Sequence, residues 1–146
     1  MASAEKSFIL QMVTPDQIIY QQAVLKLIIS TSKGEITVLP HHAPLVASIA
    51  PGEARILEKG KEEERDMAVS EGIIEIKDNF VRLLVSKAHR LEELDRAKIE
   101  QAKKTAEQMI EKAKKVGAGK REFAFWETSL QREIAKLKII ERKKKH

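Results

Sequence analysis

The chain of 146 residues contains no cysteine. A disulfide framework, a thiolate metal site and a cysteine nucleophile are therefore excluded, and a reducing compartment is allowed. Aromatic residues make up 4% of the chain, with one tryptophan and one tyrosine, Tyr20. Little is available for the stacking platform that single-stranded nucleic acid requires. The six glycines stand at turn positions and form no phosphate-cradling Gly-rich loop. Met1 to Phe8 carries Glu5 and Lys6 in place of an apolar signal core, and no later stretch has the uninterrupted apolar length of a membrane span. The expectation is a soluble chain.

What is present is unevenly distributed. The net charge of +5 conceals two halves. Met1 to Ser86 has 9 basic against 12 acidic residues and Lys87 to His146 has 18 against 10, giving −3 and +8. A basic arm on a slightly acidic body implies an acidic partner: a protein surface, nucleic acid, a nucleotide or a membrane.

The body reads as strands. Short apolar runs, Phe8 to Val13, Val24 to Ile29, Glu35 to Leu39, Leu45 to Ile49, Ala54 to Glu58, Arg65 to Val69, Ile73 to Lys77 and Phe80 to Val85, alternate with turn residues such as Pro51-Gly52 and Asp78-Asn79. Eight to ten short strands predict an antiparallel β-sandwich or flattened barrel. Val24 to Ile29 and Val81 to Val85 are β-rich on both faces, interrupted by Lys26 and Arg82 respectively, and belong near the middle of a sheet. Lys61 to Asp66 is a charge run, read as a solvated hairpin turn.

After Ser86, Gly and Pro vanish until Gly117, and Ala, Lys, Glu and Gln take over. Leu91, Leu94, Ala102, Ala106, Met109 and Ala113 recur at helical spacing, as do Phe123, Trp126, Leu130, Ile134, Leu137 and Ile140. With Gly117-Ala118-Gly119 between them, they predict an αα-hairpin. The fold class is thus α+β in two parts, a sandwich over 1–86 and a helical hairpin over 87–146.

Chemistry is hard to find. Pro40 and Pro44 bracket a rigid loop holding adjacent His41 and His42. His42 has three competing readings, loop-bracing histidine, metal ligand and catalytic base, and no partner residue stands at ligand or catalytic spacing to support the last two.

Gly34-Glu35-Ile36-Thr37-Val38-Leu39-Pro40-His41-His42-Ala43-Pro44-Leu45 resembles the signature of the epsilon subunit of F-type ATP synthases. The likeness continues through Val13-Thr14-Pro15, Ala50 to Ile56, Ser70 to Ile76 and the last helix, Leu130 to Glu141. It departs at His41 and Glu71, where the family has glycine. The resemblance implies a non-catalytic subunit whose sandwich binds the gamma subunit and the c-ring, with Leu39, Pro40, His42 and Pro44 as the contact loop. It implies that the hairpin inhibits ATP hydrolysis by exchanging between a folded state and one extended toward the alpha and beta catalytic subunits. Trp126, Arg132, Lys136, Lys138 and Arg142 are its candidate contacts, followed by the basic tail Lys143 to Lys145. No cofactor is required. A weak regulatory ATP site is implied at Leu94, Asp95, Lys98, Arg132 and Lys136, although Lys98, Ile99 and Lys136 depart from the family's Arg, Ala and Arg. A lysine supplies one compact charge where arginine supplies a planar fork. Asp95 also suits the first turn of a helix without any ligand. The implied location is peripheral, at the cytoplasmic face of a bacterial membrane or the stromal side of a thylakoid. The alternative is a nucleic-acid binder using the basic hairpin.

Overall fold

The computed structural model describes residues 6–144. The chain divides between Arg90 and Leu91 into two compact units.

The first unit is built from β1 (Phe8–Val13), β2 (Ile18–Thr31), β3 (Gly34–Val38), β4 (Leu45–Glu58), β5 (Arg65–Val69), β6 (Gly72–Lys77), β7 (Phe80–Val85) and β8 (Ala88–Arg90). They follow the order β3-β2-β1-β7-β6-β4-β5-β8, and a β2–β4 pairing folds the ribbon back on itself. The two fourteen-residue strands make that closure. β2 lies on β1 with its first half and on β3 and β4 with its second. β4 lies on β6 as far as Ile49, then on β5 from Gly52.

Two predicted strands, Leu45 to Ile49 and Ala54 to Glu58, are therefore one. Pro51 has no N–H to give a ladder, so it interrupts pairing only if it falls inside one. It falls where β4 changes partner. The predicted strand at Val24 also begins earlier, because Ile18 to Ala23 pairs with β1. Seven of the eight pairings among the described residues are antiparallel, and β1 runs parallel to β7. Val24 to Ile29 and Val81 to Val85 both lie inside the sheet, as expected.

Period-two alternation fixes which side chains enter the core. Phe8, Leu10 and Met12 from β1 meet Val81, Leu83 and Val85 from β7, with Leu27, Ile29, Ile56 and Ile74 among them. Each fully buried aliphatic side chain contributes about 1.5 to 3 kcal/mol. Gly72 has no room for a side chain, since a Cβ there would stand 2.0 Å from the Leu84 carbonyl oxygen. Asp66, assigned from the sequence to a solvated turn, is buried in β5.

The sandwich boundary lies beyond Ser86. Lys87 is clasped to buried Ser70, whose N–H donates to the Lys87 carbonyl (2.9 Å) while its Oγ accepts from the Lys87 N–H (2.7 Å). Ala88 to Arg90 then adds a short strand to β5.

The second unit is α1 (Arg96–Val116) and α2 (Lys120–Lys144), preceded by a 3-10 turn at Leu91–Glu93. Asp95 is the N-cap of α1, its carboxylate accepting the Lys98 N–H. Gly117, at φ 64°, closes α1, and the Ala118 N–H returns to the Ala113 carbonyl. The buried residues of α1 are Ile99, Ala106, Ile110 and Ala113. This seam is turned slightly from the predicted stripe: Ala102 is exposed, and among the described residues of α2 Ile139 is buried although the stripe ran through Leu137 and Ile140.

Candidate functional site

The signature loop leaves β3 after Val38. Leu39 is 53% exposed and Val46, beyond the loop, 72% exposed. His41 occupies the left-handed region at φ 64°, so the backbone keeps a glycine-like conformation although a side chain is present. Its N–H donates to Asn79 Oδ1 at 2.7 Å. The His42 ring Nδ1 lies 2.7 Å from the Ala43 carbonyl oxygen and donates to it. That contact joins neighbouring residues of the loop and is exposed. No three His, Asp or Glu among the described residues could hold a metal ion.

A second feature lies at the opposite end of β1. Val13, Thr14 and Pro15 face Glu71, Gly72, Leu84, Val85 and Ser86 around a groove of about 360 Å³. Two stretches that carry the family resemblance, around Thr14-Pro15 and around Gly72, meet there. Ile73 (43% exposed) follows Gly72 on β6, one of the strands that line it. Nothing in the sequence pattern had singled this groove out, because its walls come from strands far apart in the chain.

On the hairpin the candidate residues separate into two groups. Lys138 and Arg142 line a groove of about 450 Å³ with Lys103, Ile134, Leu137 and Glu141. It has an aliphatic floor and a largely basic rim. Leu94, Asp95, Lys98, Arg132 and Lys136 do not line it. Asp95 is occupied as the α1 cap, and Lys136 lies 3.2 Å from both carboxylate oxygens of Glu133 in a partly buried pair. Ile99, where the family's nucleotide motif has alanine, is buried. Arg96 at the start of α1 pairs with Glu141 near the end of α2 and with Glu100. The Phe125 and Trp126 rings meet edge to face, centroids 5.0 Å apart. Phe125 is 59% exposed and Trp126 half-buried. In the basic tail, Lys145 lies outside the described residues. Among the described residues no helix is long and apolar enough to cross a membrane.

The aromatic residues of the sandwich do not make a stacking face. Phe8 and Tyr20 are buried, Phe80 lies beneath the Arg82 guanidinium at 5.4 Å, and the Tyr20 hydroxyl is engaged with Glu58. A nucleic-acid interface on the basic hairpin would have the Phe125–Trp126 pair, set edge to face, beside its charge.

Residues 7–91 match the family model described as the ATP synthase delta/epsilon chain, beta-sandwich domain. The ATP synthase epsilon chain of Ligilactobacillus salivarius is 39% identical over 137 residues, covering 92% of this chain and 96% of that one. That of Neisseria gonorrhoeae is 34% identical over 136 residues, covering 93% and 94%. Among solved structures, a chain in the cryo-EM structure of the Euglena gracilis mitochondrial ATP synthase, OSCP/F1/c-ring, has the same fold. The TM-score is 0.77 at 23% identity, with 95% of this chain and 84% of that chain covered. A sandwich that carries the braced Leu39–Leu45 loop, a helical hairpin after it, and relatives matched over nearly their whole length lead to one conclusion: the chain belongs to the ATP synthase epsilon-chain family.

Proposed function

We propose that this chain is a non-catalytic central-stalk subunit of an F-type ATP synthase. Its sandwich binds the gamma subunit and the c-ring and so couples the catalytic ring to the proton-driven rotor. Its hairpin restrains ATP hydrolysis by exchanging between folded and extended states. The observation that carries this reading is the division between Arg90 and Leu91 into two units, each with its own interior. A sandwich closed on its own core stays attached to a rotor whatever the helices do. A pair of helices whose interior is one narrow seam can exchange partners at small net cost, as a two-state element must.

The outward residues suit these roles. Leu39, Pro40, His42 and Pro44 offer a rigid apolar edge to the rotor. Lys138 and Arg142, with Lys103 across the groove, offer positive charge to acidic surfaces of the alpha and beta subunits. Each exposed ion pair contributes about 0.2 to 1 kcal/mol, so the restraint has to be collective. The relatives' family and the cytoplasmic bacterial location of such complexes support a peripheral position at the membrane, the thylakoid stroma being the alternative. ATP is at most a weak regulatory ligand in this reading, because Asp95 and Lys136 have partners within the hairpin.

The test is hydrolysis. Deleting Leu91 to His146 is expected to raise ATP hydrolysis by the reconstituted complex several-fold. Unchanged hydrolysis across a range of nucleotide concentrations would show that the hairpin is not an inhibitor.

A further inference from the structure

Asn79 ties together three segments that are distant in sequence. It sits in the turn between β6 and β7, where Asp78 (φ 52°) and Asn79 (φ 60°) are both left-handed, the pattern of a tight hairpin turn. Glycine would satisfy that backbone equally well. Only the amide side chain explains the remaining contacts. Its Oδ1 accepts the His41 N–H at 2.7 Å and its Nδ2 donates to the Ser7 carbonyl at 2.8 Å. The Asn79 carbonyl also accepts the Ile9 N–H at 3.4 Å.

The contact with His41 matters because of what surrounds it. Pro40 and Pro44 have fixed φ, and Ala43 is restricted by the proline that follows. The backbone freedom of the loop is therefore concentrated at His41 and His42. A non-glycine residue held at φ 64° relaxes toward extended conformations unless its surroundings hold it. Such relaxation would swing Leu39 and Pro44 relative to each other.

We propose that Asn79 is the positioning residue of the Leu39–Pro44 contact loop, its amide holding His41 in the left-handed conformation that aims the loop at a rotor partner. This rests on the reading that the loop is a rotor contact. The Asp78-Asn79 turn itself makes the hairpin, and the amide sets the neighbouring loop.

The test uses the full chain and three variants, with purified gamma subunit and detergent-solubilised c-ring as separate probes. Leu39→Ser reports which probe the loop touches. Asn79→Gly keeps the left-handed turn and deletes the amide, so the fold is retained. It is expected to weaken binding of that same probe roughly tenfold, the scale of one hydrogen bond that holds a strained backbone, and to leave the other probe unchanged. Hydrogen exchange at the His41 amide is expected to accelerate by a similar factor while Leu83 in β7 keeps its rate. Asn79→Asp retains an acceptor for the His41 N–H and is expected to restore both readouts toward the native values. If Leu39→Ser weakens binding and Asn79→Gly does not, or if Asn79→Gly weakens both probes where Leu39→Ser weakens one, the positioning role is overturned and the loop reading stands. If Leu39→Ser affects neither probe, the loop reading fails and the role of Asn79 falls with it.

Discussion

Tyr20 shows how a single buried hydroxyl makes the sandwich sensitive to pH. Its OH donates to Glu58 Oε2 at 2.7 Å, and Arg65 approaches the other oxygen of the same carboxylate at 3.6 Å. Burial first, and then the hydrogen bond and the charge of Glu58, push the phenol well above its ordinary range. A folded-state pKa raised above the unfolded one stabilises the fold fully below the unfolded value, about 10 for tyrosine, and the contribution is lost as pH rises beyond it. The urea midpoint of the full chain is therefore expected to hold steady from neutral pH toward 10 and to fall above it. Tyr20→Phe should cost about 1 to 3 kcal/mol at neutral pH, because Glu58 loses a donor, and should flatten the alkaline fall. An equal alkaline slope in the variant would assign that fall to other groups. Gly72 is a second single-residue constraint. A Cβ placed there would stand 2.0 Å from the Leu84 carbonyl oxygen, so the position admits glycine alone, whereas Glu71 beside it carries a full side chain.

At the scale of elements, partner switching organises the sandwich and capping organises the hairpin. β2 and β4 each pass from one partner to another midway, so neither can be read as a strand of ordinary length from its local pattern. Pro51 looked like a terminator because its effect depends on whether its neighbour needs an N–H at that point, and this is decided by pairing. In the hairpin, the predicted stripe of α1 shares Ala106 and Ala113 with the buried seam, which also takes in Ile99 and Ile110. The choice of Ile99 and Ile110 over Ala102 and Met109 is made by contact with the second helix. Asp95 is expected to act as a cap independent of nucleotide: Asp95→Ala should lower α1 stability by about 1 kcal/mol, read as lost helical circular dichroism on mild heating. Calorimetric titration with ATP should show weak or no binding in the native chain and no added loss in the variant. A micromolar dissociation constant abolished by Asp95→Ala would instead make Asp95 a ligand.

For the whole molecule, the placement of the boundary after Arg90 has an experimental consequence. A fragment that stops at Ser86 lacks the Lys87 clasp on Ser70 and the strand that covers β5, whereas one that stops at Arg90 keeps both. The 1–90 fragment is expected to co-elute with the gamma subunit at native stoichiometry, and the 1–86 fragment to do so less well or to aggregate. Loss of co-elution in 1–90, with retention by the isolated hairpin, would reverse the division of labour proposed for the two units. The sequence by itself determined the class of each half, since a period of two and a period near 3.6 are properties of local chain geometry. It also determined the family, since Leu39-Pro40-His41-His42-Ala43-Pro44-Leu45 is contiguous. What only the tertiary structure decided were the continuity of β2 and β4, the burial of Asp66 and Ile99, the groove beside Thr14 and Gly72, and the hold of Asn79 on His41. Each of these depends on residues brought together from distant parts of the chain. Pairing partners and buried faces are chosen by closure of the sheet and by contact between helices, and no local pattern carries that choice.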